Sequence, residues 1–168
     1  MLFMEQREWF SSFGIEIDIV PAGGKKNMIN KANKFYKIAV LQKSDHIIFL
    51  PDQNNDSCAL VTRQKIGMDS CGRCITIAIK RELEAWILAD GKSLRDSIDL
   101  IYEPPGFTDT ELDPKQKLYA LIKRKLGYFP SSIEATNLVK SYFSIERAAN
   151  NNHSAARFKR FIENILSQ

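Results

Sequence analysis

His46–Cys58 reads HIIFLPDQNNDSC, an apolar run that halts at a proline and an aspartate and then scatters carboxamides and a second aspartate. Ile47, Ile48, Phe49 and Leu50 can bury on both faces, as strands inside parallel sheets do. Pro51 has no N–H to give and is expected to end the ladder. Asp52, Asn54 and Asp56 then fall just past the carboxyl end of a strand, where open α/β sheets present their chemistry.

Working upstream, Asn27–Gln42 places Met28, Ile29, Ala32, Phe35, Tyr36, Ala39 and Val40 at helical spacing. Before it, IEIDIV over 15–20 alternates isoleucine with acid, the period of a half-exposed strand, and residues 2–13 read as a helix ending at Gly14. Downstream, Cys58 to Ile66 can form a helix and Ile75 to Ile79 a second buried strand. The expected fold class is α/β, a mainly parallel sheet with strands at 15–20, 46–50 and 75–79 joined by right-handed crossovers. So narrow a sheet leaves an edge to be covered.

After Lys80 the pattern turns helical. RELEAWILAD (residues 81–90) opens a helix with Leu83, Trp86 and Ile87 on one side, and the proline- and glycine-bearing YEPPGFTDTELDP is a loop. Asp113 and Pro114 have the form of an N-cap and first helical residue, for a helix closing at Gly127. Ser131 with Glu134 forms a possible capping box, and residues 154–166 gather Phe158, Phe161, Ile162 and Ile165 on one face. The expected organisation is an α/β core over 1–90 and a helical C-terminal region over 91–168 packed on it.

With 168 residues, 44% apolar and 26% charged, the chain can bury a core, and no apolar run approaches membrane-spanning length. The start carries Glu5 and Glu8 too early for a secretory signal, so a cytoplasmic protein is expected. Three cysteines are an odd number. CGRC (71–74) is a C-x-x-C, but zinc would need two further ligands from Cys58, His46 and His153 at unpaired spacing, so reduced thiols are expected. Residues 1–110 hold 14 Lys+Arg against 15 Asp+Glu, whereas residues 111–168 hold 10 against 5. The last third is the basic part, a surface suited to phosphates or simply a solvated helix face.

If the two strands are parallel, Asp52 and Asp56 share a sheet edge with Glu82 and Glu84. Carboxylates so gathered hold Mg²⁺, which suits phosphodiester hydrolysis. The same Asp52, Asn54 and Asp56 also serve to cap a helix and shape a turn, the commoner use of such residues. Glu82, nearest the strand end, is the choice for the site, and Glu84 fits a surface pair with Lys80. Trp86 fits a core or interface position, and Asp90 either ends the helix or approaches the same pocket. GGKK (23–26) can hold an anion at a helix N-terminus but lacks the Walker spacing. His46 and His153 stand isolated, which leaves a small-molecule enzyme without an interpretable nucleophile and base.

IAIKRELEAWILAD, with FLPDQNNDSC upstream and DPKQKL downstream, resembles a bacterial family of Toprim-like proteins of unknown function that stand beside AAA or ABC-type ATPases in defence loci. The resemblance runs from about Ile15 onward. It implies a Rossmann-like Toprim sheet holding Mg²⁺, or Mn²⁺ in its place, through a glutamate after the first strand and a D-x-D after a later one. Asp52 matches the first aspartate of D-x-D, and Asn54 stands where the second carboxylate belongs. The family's first strand and its glutamate would lie ahead of residue 1, and neither Glu5 nor Glu8 matches that glutamate. Metal ligands are thereby assigned to Asp52, Asn54, Asp56 and Glu82, catalytic roles to Asp52, Asp56 and Glu82, and phosphate or substrate contacts to Lys115 and Arg157.

The expected function is a Mg²⁺-dependent nuclease or nuclease-derived effector acting on DNA or RNA with an ATPase partner. The alternative is a catalytically degenerate binding or regulatory subunit that docks the ATPase.

Overall fold

The apolar run forms β1 (Ile47–Phe49), with Ile47 and Phe49 buried. It pairs in parallel with β2 (Cys74–Thr76), in the register Ile47 to Cys74, Ile48 to Ile75 and Phe49 to Thr76. Pro51 does not end the pairing. Its carbonyl accepts from Ile79 N–H at 2.9 Å, Asp52 bridges Ile79, and Gln53 N–H reaches the Ile79 carbonyl at 2.8 Å. A proline removes a donor but leaves an acceptor, and in this register the ladder asks Pro51 only to accept. Pairing stops where Asn54 N–H meets the Arg81 carbonyl, both residues having left-handed backbone (φ 47° and 66°).

In the computed structural model, residues 7–165 are described. The chain divides into two compact units: an α/β unit over Val20–Arg81, and a helical unit made of the stretch through Ile19 and the chain from Glu82 onward.

In the α/β unit, α2 (Lys25–Leu41) follows α1 (Arg7–Ser11) of the helical unit. Its Met28, Ile29, Phe35, Tyr36 and Ala39 pack with buried Ala32 against Ile47, Phe49, Ile66 and Met68. Residues three and four apart share a helix face, so one side of α2 covers the strand pair. The crossover helix α3 (Ala59–Ile66) ends at left-handed Gly67. Cys71 and Cys74 are joined in a disulfide, their Cα atoms 5.1 Å apart across Gly72–Arg73, where reduced thiols were expected. A four-residue turn whose Cys74 N–H bonds to the Cys71 carbonyl brings both sulfurs to one side, within disulfide range.

The strand expected at 15–20 is not formed. Ile15, Ile17 and Ile19 are half-buried and Glu16 and Asp18 exposed, so the alternation is there, but among the described residues no strand pairs with it. Alternation specifies two faces; a strand also needs a hydrogen-bonded neighbour. The sheet therefore has two described strands, and the molecule is mixed α/β but mostly helical.

The helical unit continues with α4 (Glu84–Ala89), α5 (Gly91–Ile98), α6 (Pro114–Leu126), α7 (Ser132–Val139), α8 (Ile145–Asn150) and α9 (His153–Ile165). Trp86, Ile87, Leu88, Leu94, Leu118, Ile122, Val139 and Ile145 are fully buried among them. Asp113 caps α6 by accepting from Gln116 N–H at 2.9 Å, Pro114 is its first residue, and left-handed Gly127 ends it. Ser131 and Glu134 complete the capping box of α7. Gly91 is required where it stands, since a Cβ there would lie 2.1 Å from the Tyr102 carbonyl oxygen. Among the described residues, no helix is long and apolar enough to cross a membrane.

Candidate functional site

Because β1 and β2 are parallel, both carboxyl ends reach one rim of the α/β unit, and Asp52, Asn54 and Asp56 follow there as expected. Asp56 does not face a ligand. Its Oδ2 accepts from Lys25 Nζ at 2.5 Å and from Thr62 Oγ1 at 2.7 Å, and its Oδ1 from Lys65 Nζ at 2.5 Å. Hydrogen bonds from Lys25, then Lys65, then Thr62 hold this carboxyl far below the usual carboxylate range.

Lys25 opens α2 immediately after Gly23–Gly24, so the anion that GGKK holds is the chain's own aspartate. The same ammonium donates to the Gln53 carbonyl at 2.8 Å, and Gln53 Nε2 donates to the Asp56 carbonyl at 2.9 Å. The loop is thus tied to both flanking helices.

Asn54, at the second position of D-x-D, offers a neutral amide. Its Oδ1 is buried and has no hydrogen-bond partner among the described residues. Mg²⁺ asks for near-octahedral oxygen ligation with one or two carboxylates. Asp56 is consumed by lysines, Asn54 brings no charge, and among the described residues no three of His, Cys, Asp or Glu are grouped to hold a metal. Of the four expected ligands, Asp56 is thus already committed within the chain.

Glu82, Lys115 and Arg157 belong to the helical unit, whereas Asp52, Asn54 and Asp56 belong to the α/β unit. Within the helical unit Glu82, Glu84, Asp113 and Lys115 are electrostatic neighbours. Burial, more than the charge of Glu82, pushes the Glu84 carboxyl up. Lys115 lies 5.9 Å over the Tyr119 ring, and Arg157 is exposed on α9.

The RELEAWILAD stretch is a structural hub. Trp86 Nε1 donates to Ser154 Oγ at 2.8 Å, Ser154 Oγ to Asn152 Oδ1 at 2.8 Å, and Asn152 Nδ2 to Thr108 Oγ1 at 2.9 Å. Thr108 Oγ1 closes the chain on the Ala85 carbonyl at 2.8 Å. Buried polar groups tied in this way have little freedom to be anything else. Asp90, wholly buried, accepts from Arg147 Nε at 2.6 Å and Nη2 at 3.0 Å and from Ser144 N–H at 2.8 Å.

One constellation escaped sequence reasoning. His153, expected to be isolated, has its backbone N–H 2.5 Å and its ring Nδ1 2.8 Å from Asp109 Oδ2, and its ring stacks on Phe107 with centroids 3.9 Å apart. Asp109 is buried, and its Oδ1 has no partner among the described residues. The carboxylate caps the start of α9 and fixes the imidazole, leaving Nε2 on an exposed ring. The 44-residue separation hides the pair, because no local motif links a loop aspartate to a distant helix start.

No family model, no curated protein and no solved structure matches the chain.

Proposed function

We propose that this chain is a nucleic-acid-engaging subunit of Toprim-like descent in which the acidic sheet rim has become structural, and that it works by binding beside an ATPase partner. The observation that carries this is the state of Asp56: both carboxylate oxygens are satisfied by Lys25, Lys65 and Thr62. A nuclease rim needs carboxylates available to metal, and breaking this clamp would take the carboxylate from the half-buried Lys25 ammonium. The excess of Lys and Arg after residue 110 favours a polyanionic partner. The Toprim-like fold and the ATPase come from the resemblance of IAIKRELEAWILAD and its flanking motifs.

The test is a calorimetric titration of the full chain with Mg²⁺ and Mn²⁺, run beside incubation with labelled DNA and RNA. The expected result is no saturable metal binding and intact nucleic acid. Stoichiometric metal binding that disappears in Asp52→Ala, together with cleavage, would restore the Mg²⁺-dependent nuclease.

A further inference from the structure

The turn between α6 and α7 carries a feature that the sheet rim does not explain. Helix α6 ends in Lys123, Arg124 and Lys125, and the next residues leave Tyr128 48% and Phe129 62% exposed. Ile133, the second residue of α7, is 73% exposed. Single apolar residues on a surface need no explanation, but two aromatic rings and an isoleucine within six residues, beside three cations, do.

The backbone that presents them is firmly held. Gly127 takes the left-handed conformation (φ 84°) with its N–H 2.7 Å from the Lys123 carbonyl, Pro130 is buried, and the capping box fixes Ser131. The rings are exposed on a preorganised turn, so binding there need not order the backbone first. Lys123 Nζ lies 4.1 Å over the Phe129 ring, a cation–π contact. Of the three cations, Lys125 is committed to Asp99 at 2.8 Å, while among the described residues Lys123 and Arg124 meet no carboxylate.

We propose that this turn, Lys123–Phe129, is a binding site for single-stranded nucleic acid, with Tyr128 and Phe129 stacking on unpaired bases and Lys123 and Arg124 meeting the phosphates. The proposal rests on the nucleic-acid reading above and deepens it by naming the surface and the strand state. Aromatic platforms beside cations accept any base face, and duplex bases, already stacked on each other, offer none. A protein partner is disfavoured because lysine is depleted at the centre of such interfaces, and here an ammonium sits on the ring itself. That placement also disfavours insertion into lipid, which would draw the ammonium toward hydrocarbon.

Fluorescence anisotropy of the full chain with labelled oligo(dT), oligo(U) and a duplex tests it. Tyr128→Ala with Phe129→Ala is expected to weaken single-strand binding by about ten- to a hundredfold, from the usual worth of base–aromatic stacking. Phe129→Trp keeps binding. Lys123→Gln and Arg124→Gln each lower the slope of log affinity against log salt by about 0.7. Both rings are exposed, so the thermal midpoint stays put and serves as the folding control.

Wild type that binds single strands as tightly as the ring variants do removes this site and leaves the broader reading standing. Wild type that binds no nucleic acid removes both. Ring-dependent binding to phosphatidylserine vesicles in place of oligonucleotides overturns the proposal in favour of a lipid surface.

Discussion

Asp56 in the α/β unit and Asp90 in the helical unit are both clasped by cations, and they differ in what surrounds the clasp. Asp56 is held between two lysines, one of which, Lys65, has a side chain 49% exposed. The Asp90 carboxylate has no exposure at all and is gripped by a forked guanidinium and a backbone N–H. The first clasp reaches water through Lys65; in the second the carboxylate is enclosed and water is reached only along the Arg147 side chain, 37% exposed. An acidic residue in a distinctive motif can thus be spent on architecture in either of two ways, and only its partners tell which.

The largest break in this comparison is Arg147→Ala, which leaves Asp90 buried without its cation. It should cost the helical unit about 3–5 kcal/mol. Trp9 and Trp86 both lie in that unit, so intrinsic tryptophan fluorescence during urea unfolding reads it directly, and an unchanged midpoint would count against the Asp90 clasp.

Next is Cys71→Ser with Cys74→Ser. The loop it opens is short, and chain entropy sets the loss at about 2 kcal/mol. Faster hydrogen exchange confined to β1 and β2, with the tryptophan transition unmoved, is the expected pattern.

Smaller still are two pH effects of opposite sign. Folded Asp56 binds its proton less readily than the unfolded chain does, so its contribution is whole above the ordinary value of 3.8 and drains away as pH falls below it. Asp56→Asn should flatten the acid limb of strand-amide protection, and a wild-type limb in the variant would show the lysine clasp to be idle. Glu84 runs the other way. Burial raises its folded value, so the unfolded chain ionises first and stability declines as pH climbs past 4.5. Glu84→Gln should raise the thermal midpoint at neutral pH and give no gain well below 4.5. A variant that gains equally at both pH values would place the effect elsewhere.

What the sequence disclosed follows the range of the interactions. Asp113–Pro114, Gly127 and Ser131 with Glu134 act within one helical turn, and each stands where its spacing put it. The parallel pairing of the two apolar runs was also legible, because strands apolar on both faces suit that setting. The strand at 15–20 misled because alternation says nothing about whether a partner is present. Asp56 was legible in position and opaque in state. Its position comes from the strand before it, but its charge is settled by Lys25, 31 residues upstream, and Lys65, 9 downstream. Asp109 with His153 is the same case at greater distance.

The Asp90 clasp bears on how the chain is made. Its donors, Ser144 and Arg147, are 54 and 57 residues further along. During synthesis the most distinctive stretch of the sequence must therefore wait, its carboxylate still hydrated, until α8 has left the ribosome. A message truncated before Ser144 leaves the helical unit with a carboxylate at the end of α4 that has no cation to close on.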